Sequence, residues 1–228
     1  MNYIQLVQDL FAESRAAGTA PSTVVGLTGL QQDMARWIAD AWDELAETQQ
    51  GWLFKKTDVT FSTASLASDY DPTAAPLSLT DFADWVPDTF RVYVTADGVG
   101  TEQYVEWMDY PAFRDYWLFN TRRTTSSIPR AVTSAPNKHL LVGPVPDQDY
   151  TIVGQYWSKI TRLSDDSDEP AMPARFHKLI TYRALEYYAL AESAPEVLAR
   201  AERGQARYML MLTRNQLPTP QIGPPLVG

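Results

Sequence analysis

The sequence contains no cysteine. That excludes a disulfide framework, thiol catalysis, iron–sulfur clusters and cysteine-type zinc sites. Histidine is nearly missing as well: His139 and His177 are the only two, too few for a histidine-rich metal centre. No phosphate-cradling glycine motif (G-x-x-x-x-G-K-[ST] or G-x-G-x-x-G) occurs. The one close pair, Gly98 and Gly100, sits in a predicted turn. A nucleophile elbow, G-x-S-x-G, is absent too. Basic charge is in deficit, with 19 Lys and Arg against 28 Asp and Glu and a net charge of −9. That argues against a general nucleic-acid binder, whose affinity normally comes from cations neutralising phosphates. No apolar run approaches the roughly 18 residues that span a membrane. The start, MNYIQLVQDLF, lacks Lys and Arg and is broken by Asn2, Gln5, Gln8 and Asp9, so no signal peptide is expected there. The expectation is a soluble protein of the cytoplasm, or of a particle assembled there.

What is present is a chain of 228 residues, 45% hydrophobic and 12% aromatic. That is one large domain or two small ones, long enough to bury about 70% of its unfolded surface without covalent staples. Apolar residues at Ile4, Leu6, Val7, Leu10 and Phe11 have helical spacing and predict a helix from Asn2 to Ala17, stopped at Gly18. Leu30, Met34, Trp37, Ile38, Ala41, Trp42 and Leu45 alternate by three and four. They predict a second helix, Leu30 to Thr48, about 28 Å long, with Thr28 and Gln31 at capping-box spacing.

The middle is β-rich. Asp58–Thr63 alternates. Phe90–Thr95 and Gln103–Met108 flank Asp97-Gly98, a hairpin signal. Tyr110–Phe119 predicts a short helix, Arg130–Thr133 and His139–Val142 bracket a turn, and Tyr150–Trp157 reads as a strand. Pro72, Pro76, Pro87, Pro129 and Pro144 keep the strands short.

Helices return from Ala174 to about Glu192 and from Pro195 to about Arg214. Ser193 and Glu196 have capping-box spacing, and a three-residue link implies an antiparallel hairpin. The last fourteen residues, NQLPTPQIGPPLVG, carry four prolines and no charge, and extended they would reach about 45 Å. The fold class is therefore α+β: a helical bundle formed by the N- and C-terminal helices, an inserted β-rich middle and an extended C-terminal arm. The boundaries are 1–51 for the N-terminal helices, 52–172 for the insertion, 173–214 for the C-terminal hairpin and 215–228 for the arm.

Few residues invite chemistry. The cluster Asp165, Asp166, Asp168 and Glu169 lacks the spaced ligands and central Gly of a calcium loop and reads as a solvated loop. Asp81, Asp84 and Asp88 read as turn and cap residues around Pro87 rather than an acid–base pair. His139 and His177 read as structural. Trp107 and Trp117 are the candidates for a sugar-stacking platform. No catalytic residue, metal or cofactor is expected.

Charge distribution is more informative. Residues 1–50 hold 2 basic and 7 acidic side chains, whereas residues 173–228 hold 7 and 4. Arg200, Arg203, Arg207 and Arg214 share one face of the last helix. The stripe fits either a solvated face, with Glu196 pairing Arg200, or a docking surface continued by the uncharged arm.

Two stretches, RWIADAWDELAETQQGWLF (Arg36–Phe54) and MPARFHKLITYRALEYYALAESAPEVLARAERGQARYMLMLTRNQLP (Met172–Pro218), resemble the head-to-tail adaptor (connector, or head-completion) proteins of tailed phages. The resemblance implies a structural, non-enzymatic virion protein at the portal vertex, assembled in the host cytoplasm. It implies a homo-oligomeric ring, usually of twelve copies, below the portal. Such a ring connects capsid to tail and extends the channel through which double-stranded DNA passes without specific or membrane contact. A tail or nozzle protein is implied on the opposite side. The C-terminal segment is implied to reach the portal, which assigns portal contact to Arg200, Arg203, Arg207, Arg214, Leu217, Pro218, Pro220, Ile222, Pro224, Pro225, Leu226 and Val227. A carbohydrate- or protein-binding tail component is the alternative.

Overall fold

The computed structural model describes residues 1–49 and 51–217. The chain divides into two units: residues 1–55 with 160–228, and residues 56–159. The first is helical: α1 (Tyr3–Ser14), α2 (Leu30–Glu47), α4 (Lys178–Ala191) and α5 (Pro195–Gln216). The second holds α3 (Tyr110–Trp117) and nine strands: β1 (Lys56–Ser62), β2 (Asp69–Tyr70), β3 (Phe82–Trp85), β4 (Arg91–Val94), β5 (Gln103–Tyr104), β6 (Glu106–Trp107), β7 (Ala131–Ser134), β8 (Leu140–Gly143) and β9 (Tyr150–Ser158). The fold is α+β. The insertion boundaries read from the sequence, 52–172, differ from this division, because Trp52, Leu163 and Met172 are buried in the helical core.

The periodicity of the helices explains that core. Leu6, Val7 and Leu10 of α1, Met34, Ile38 and Trp42 of α2, and Leu179, Ile180 and Leu185 of α4 are buried together with Ala201 and Leu212 of α5. Leu190 of α4 stays outside that core and is exposed. The hairpin of α4 and α5 depends on a close approach: a Cβ on Gly204 would lie 2.6 Å from the Tyr182 ring.

Helix ends depart from the sequence expectation. The reciprocal box is at Asn2 and Gln5, where each side chain accepts from the other's backbone N–H. For α2 the capping position is Gly29, at φ 58°. Thr28 is thus one residue too early to reach the third helical N–H, and Gln31 donates instead to the Thr19 carbonyl at 2.8 Å. Before α5, Ser193 is left-handed at φ 52° and Ala194 holds the cap position without a side-chain bond. α1 ends at Arg15, at φ 56°, before Gly18 is reached.

Partly buried polar groups brace the helical unit. Lys178 donates to Asp9 at 2.6 Å and pairs with Glu13 at 2.8 Å. Burial lowers the lysine's affinity for its proton, but Asp9 and Glu13 together outweigh burial and hold the pKa above its ordinary value. In the acidic loop, the Asp168 carboxylate accepts from the N–H groups of Asp165 and Ser164, which keeps it below the usual range. Asp166 accepts from Val24 N–H, and the Asp168 carbonyl accepts from Tyr3 N–H. The loop thereby ties the start of α1.

His177 is buried, with Nδ1 2.8 Å from the Met1 nitrogen and Nε2 2.7 Å from the Met172 carbonyl. An ammonium donates and a carbonyl accepts, so the ring is the neutral Nε2–H tautomer. Burial pushes its pKa down, more than the Met172 carbonyl raises it, and the positive N-terminus adds to the fall. The unfolded chain therefore binds more protons than the native one just below the ordinary His value of about 6.5. The His177 contribution is complete above that value and is lost as pH falls from it toward the depressed native pKa. Urea midpoints measured from pH 7.5 down to 5.5 should fall in the wild type and slope less in His177→Gln. Equal slopes would count against the assignment.

In the second unit, β9 is central. It pairs antiparallel with β1, β3 and β4, and β4 continues to β5. The other sheet runs β2-β8-β7-β6, with only the β6–β7 pairing parallel. The hairpin expected around Asp97-Gly98 joins β4 to β5 antiparallel, with a 3-10 turn over Gly98–Thr101. The predicted Gln103–Met108 strand is split at Val105, which is buried and donates to the Phe90 carbonyl. Residues on its two sides join different sheets. Asp84 lies within β3, not in a turn, and its carboxylate pairs with Lys138. Asp81 accepts from the Tyr156 hydroxyl at 2.8 Å. His139 pairs with Asp69 at 2.8 Å.

Candidate functional site

The arginine stripe occupies α5, whose direction suits it. Pro195 and Glu196 open the helix and Arg214 sits in its last turn, where a cation opposes the C-terminal end of the helix dipole. The helix continues through Asn215 and Gln216 before Leu217 caps it, two residues past the helix end expected at 214. Leu217 is partly buried against the helical core. Pro218, Pro220, Ile222, Pro224, Pro225, Leu226 and Val227 lie outside the described residues.

The four arginines separate into two groups. Arg200 turns toward α1: its guanidinium donates to the Glu13 carbonyl and lies 3.8 Å from the Glu13 carboxylate. The Glu196 pairing expected from spacing is replaced by this long-range contact. Arg203, Arg207 and Arg214 are exposed. Arg207 lies over the Tyr208 ring at 6.0 Å, and among the described residues none of the three forms an ion pair. Between them stand Leu210 and Met211, 53% and 45% exposed. These two were not singled out from sequence, although they fall one helical turn from Arg207 and Arg214, which is the signal that would have found them. Beside Met211 is a cleft of about 270 Å³ lined by Arg175, Phe176, Met211, Arg214 and Asn215. Arg175 covers the Phe176 ring at 4.7 Å. The face thus combines cations with apolar area, which suits docking of a macromolecule rather than turnover of a small one.

The residues of the sugar-platform reading are placed differently. Trp107 stacks on Phe90 with centroids 5.8 Å apart, and Trp117 packs against Gly143. Both are half-buried. Among the described residues no group of His, Asp and Glu could hold a metal ion, and no helix is long and apolar enough to cross a membrane.

The sequence pattern of the SU10 adaptor protein family matches residues 1–222. The chain belongs to the SU10 adaptor protein family. Among curated proteins no match was found. The family match takes in both units and the α5 face, and reaches into the uncharged C-terminal segment. The SU10 adaptor family is a family of phage adaptors, structural rather than catalytic proteins.

Proposed function

We propose that this adaptor forms a ring, dodecameric in the usual case, between the portal and the tail at the virion vertex. The α5 face and residues 217–228 turn to the portal, and a tail or nozzle protein binds the opposite side. One observation carries the reading. In a chain of net charge −9, the exposed basic and apolar face of Arg203, Arg207, Leu210, Met211 and Arg214 leads directly into an uncharged, proline-rich segment.

The physics supports each part. Acidic walls repel phosphate and let a DNA duplex slide through a channel instead of sticking to it. Prolines reduce the ordering cost of a docking segment, and a ring engages many weak segments at once. The half-buried Trp107 and Trp117 disfavour the carbohydrate-binding alternative, which needs both rings on the surface.

Deleting residues 218–228 tests the reading, because it leaves α5 and Leu217 intact. The truncated protein should keep the wild-type circular dichroism and melting temperature. It should lose binding to purified portal by about 100-fold, as avidity through the arms collapses. Undiminished portal binding would refute the docking role.

A further inference from the structure

A second charged surface stands outside the α5 face. From Tyr116 to Pro146 the chain has no Asp or Glu and carries Arg122, Arg123, Arg130 and Lys138. α3 and the 3-10 turn Asn120–Thr124 fold part of this stretch into a hook. Arg122 lies 3.9 Å over the Tyr116 ring. Arg123 is held by the Leu118 carbonyl, with Nη2 at 2.8 Å and Nε at 3.2 Å. Among the described residues neither arginine has a carboxylate partner. Between them and α3 the Phe119 ring is 62% exposed and Tyr116 is 46% exposed.

Two guanidiniums fixed in place call for an acidic partner. The aromatic rings decide which class. A duplex presents phosphate and no unpaired base face, so an exposed Phe beside the arginines gains nothing from it. A protein surface covers such a ring, and aromatic and Arg side chains are the residues that anchor protein interfaces. The acidic protein at hand is this chain. Its own β-rich unit exposes Asp97, Glu106 and Asp109, which form no ion pair among the described residues. Like copies of net charge −9 repel one another unless opposite patches meet, and a ring interface is heterologous, one patch of each copy meeting a different patch of the next.

We infer that the hook of Tyr116, Phe119, Arg122 and Arg123 docks on the Asp97–Asp109 stretch of a neighbouring copy of this chain. The inference rests on the ring reading above and assigns the surface through which the copies touch. Because the chain has no cysteine, Thr121→Cys, exposed at the hook, takes a single benzophenone maleimide label.

Irradiated on purified portal in the presence of double-stranded DNA, full-length labelled protein should cross-link to a second copy within residues 97–109. Adding Arg122→Glu and Arg123→Glu should reduce that adduct about tenfold or more without changing the melting temperature. Mixing those copies with Glu106→Lys/Asp109→Lys copies should restore it. Adducts confined to portal or DNA, or unchanged by the charge reversal, would overturn the inference. Electron microscopy of the same sample separates the two claims: rings without the copy-to-copy adduct leave the ring reading standing and remove the hook, while absence of rings removes both.

Discussion

Replacing Trp42 by alanine should destabilise the helical unit by about 3–5 kcal/mol. Trp42 is among the largest fully buried side chains, close to Phe54 with centroids 6.1 Å apart, and its Nε1–H donates to the Thr161 carbonyl at 3.0 Å. Truncation would open a cavity among residues of a close-packed core and strip that carbonyl of its donor. Trp42→Phe keeps most of the ring and loses the hydrogen bond, so it should cost less, about 1–3 kcal/mol. Hydrogen exchange resolved by segment is the appropriate measure, because it reads the helical unit separately from the β-rich one. Equal effects of the two substitutions would show that the cavity matters little.

Gly154→Val should damage the β-rich unit about as severely, for the opposite reason. Gly154 lies on β9 opposite Val59, and a Cβ there would stand 2.5 Å from the ring of Phe90. Phe90 is fully buried, with Trp85 and Trp107 each at a centroid distance of 5.8 Å, so it has nowhere to swing. Overpacking typically costs about 1–3 kcal/mol, and a position whose neighbour cannot move belongs at the upper end of that range. Phe90→Leu alone should destabilise as well, yet in the Gly154→Val background it should restore stability. The cycle should show coupling above about 1 kcal/mol. Strict additivity would mean that the clash is relieved by some route other than Phe90.

The parts of this fold that sequence reveals are the local ones. Residues 30–47 announce α2 through a steady apolar spacing, and the structure bounds that helix within one residue of the expectation. The strand stretches 150–157 and 130–142 are similarly plain. The caps are not legible in the spacing, because a capping box depends on the backbone of one residue: at Gly29 and Ser193 the chain takes a positive φ that spacing does not encode. Sheet membership was out of reach for a different reason. β9 collects β1, β3 and β4 from 56 to 94 in the sequence, and the division at Val105 is imposed by a bond to Phe90, not by composition.

The candidate site divides in the same manner. The helical spacing put Arg203, Arg207 and Arg214 on one face. No spacing rule foretells that Arg200 leaves it for Glu13, 187 residues away. The exposure of Leu210 and Met211 is not legible in the sequence, because an apolar residue beside a helical core reads as part of it.

The β-rich insertion begins and ends side by side, with Lys56 opposite Trp157 across an antiparallel pair. Its entry and exit are therefore about one strand spacing apart, some 5 Å, less than two residues of extended chain. A stretch of DNA coding for such a module can be gained, lost, lengthened or exchanged by recombination while the sequence on both flanks stays in frame with the same helical base.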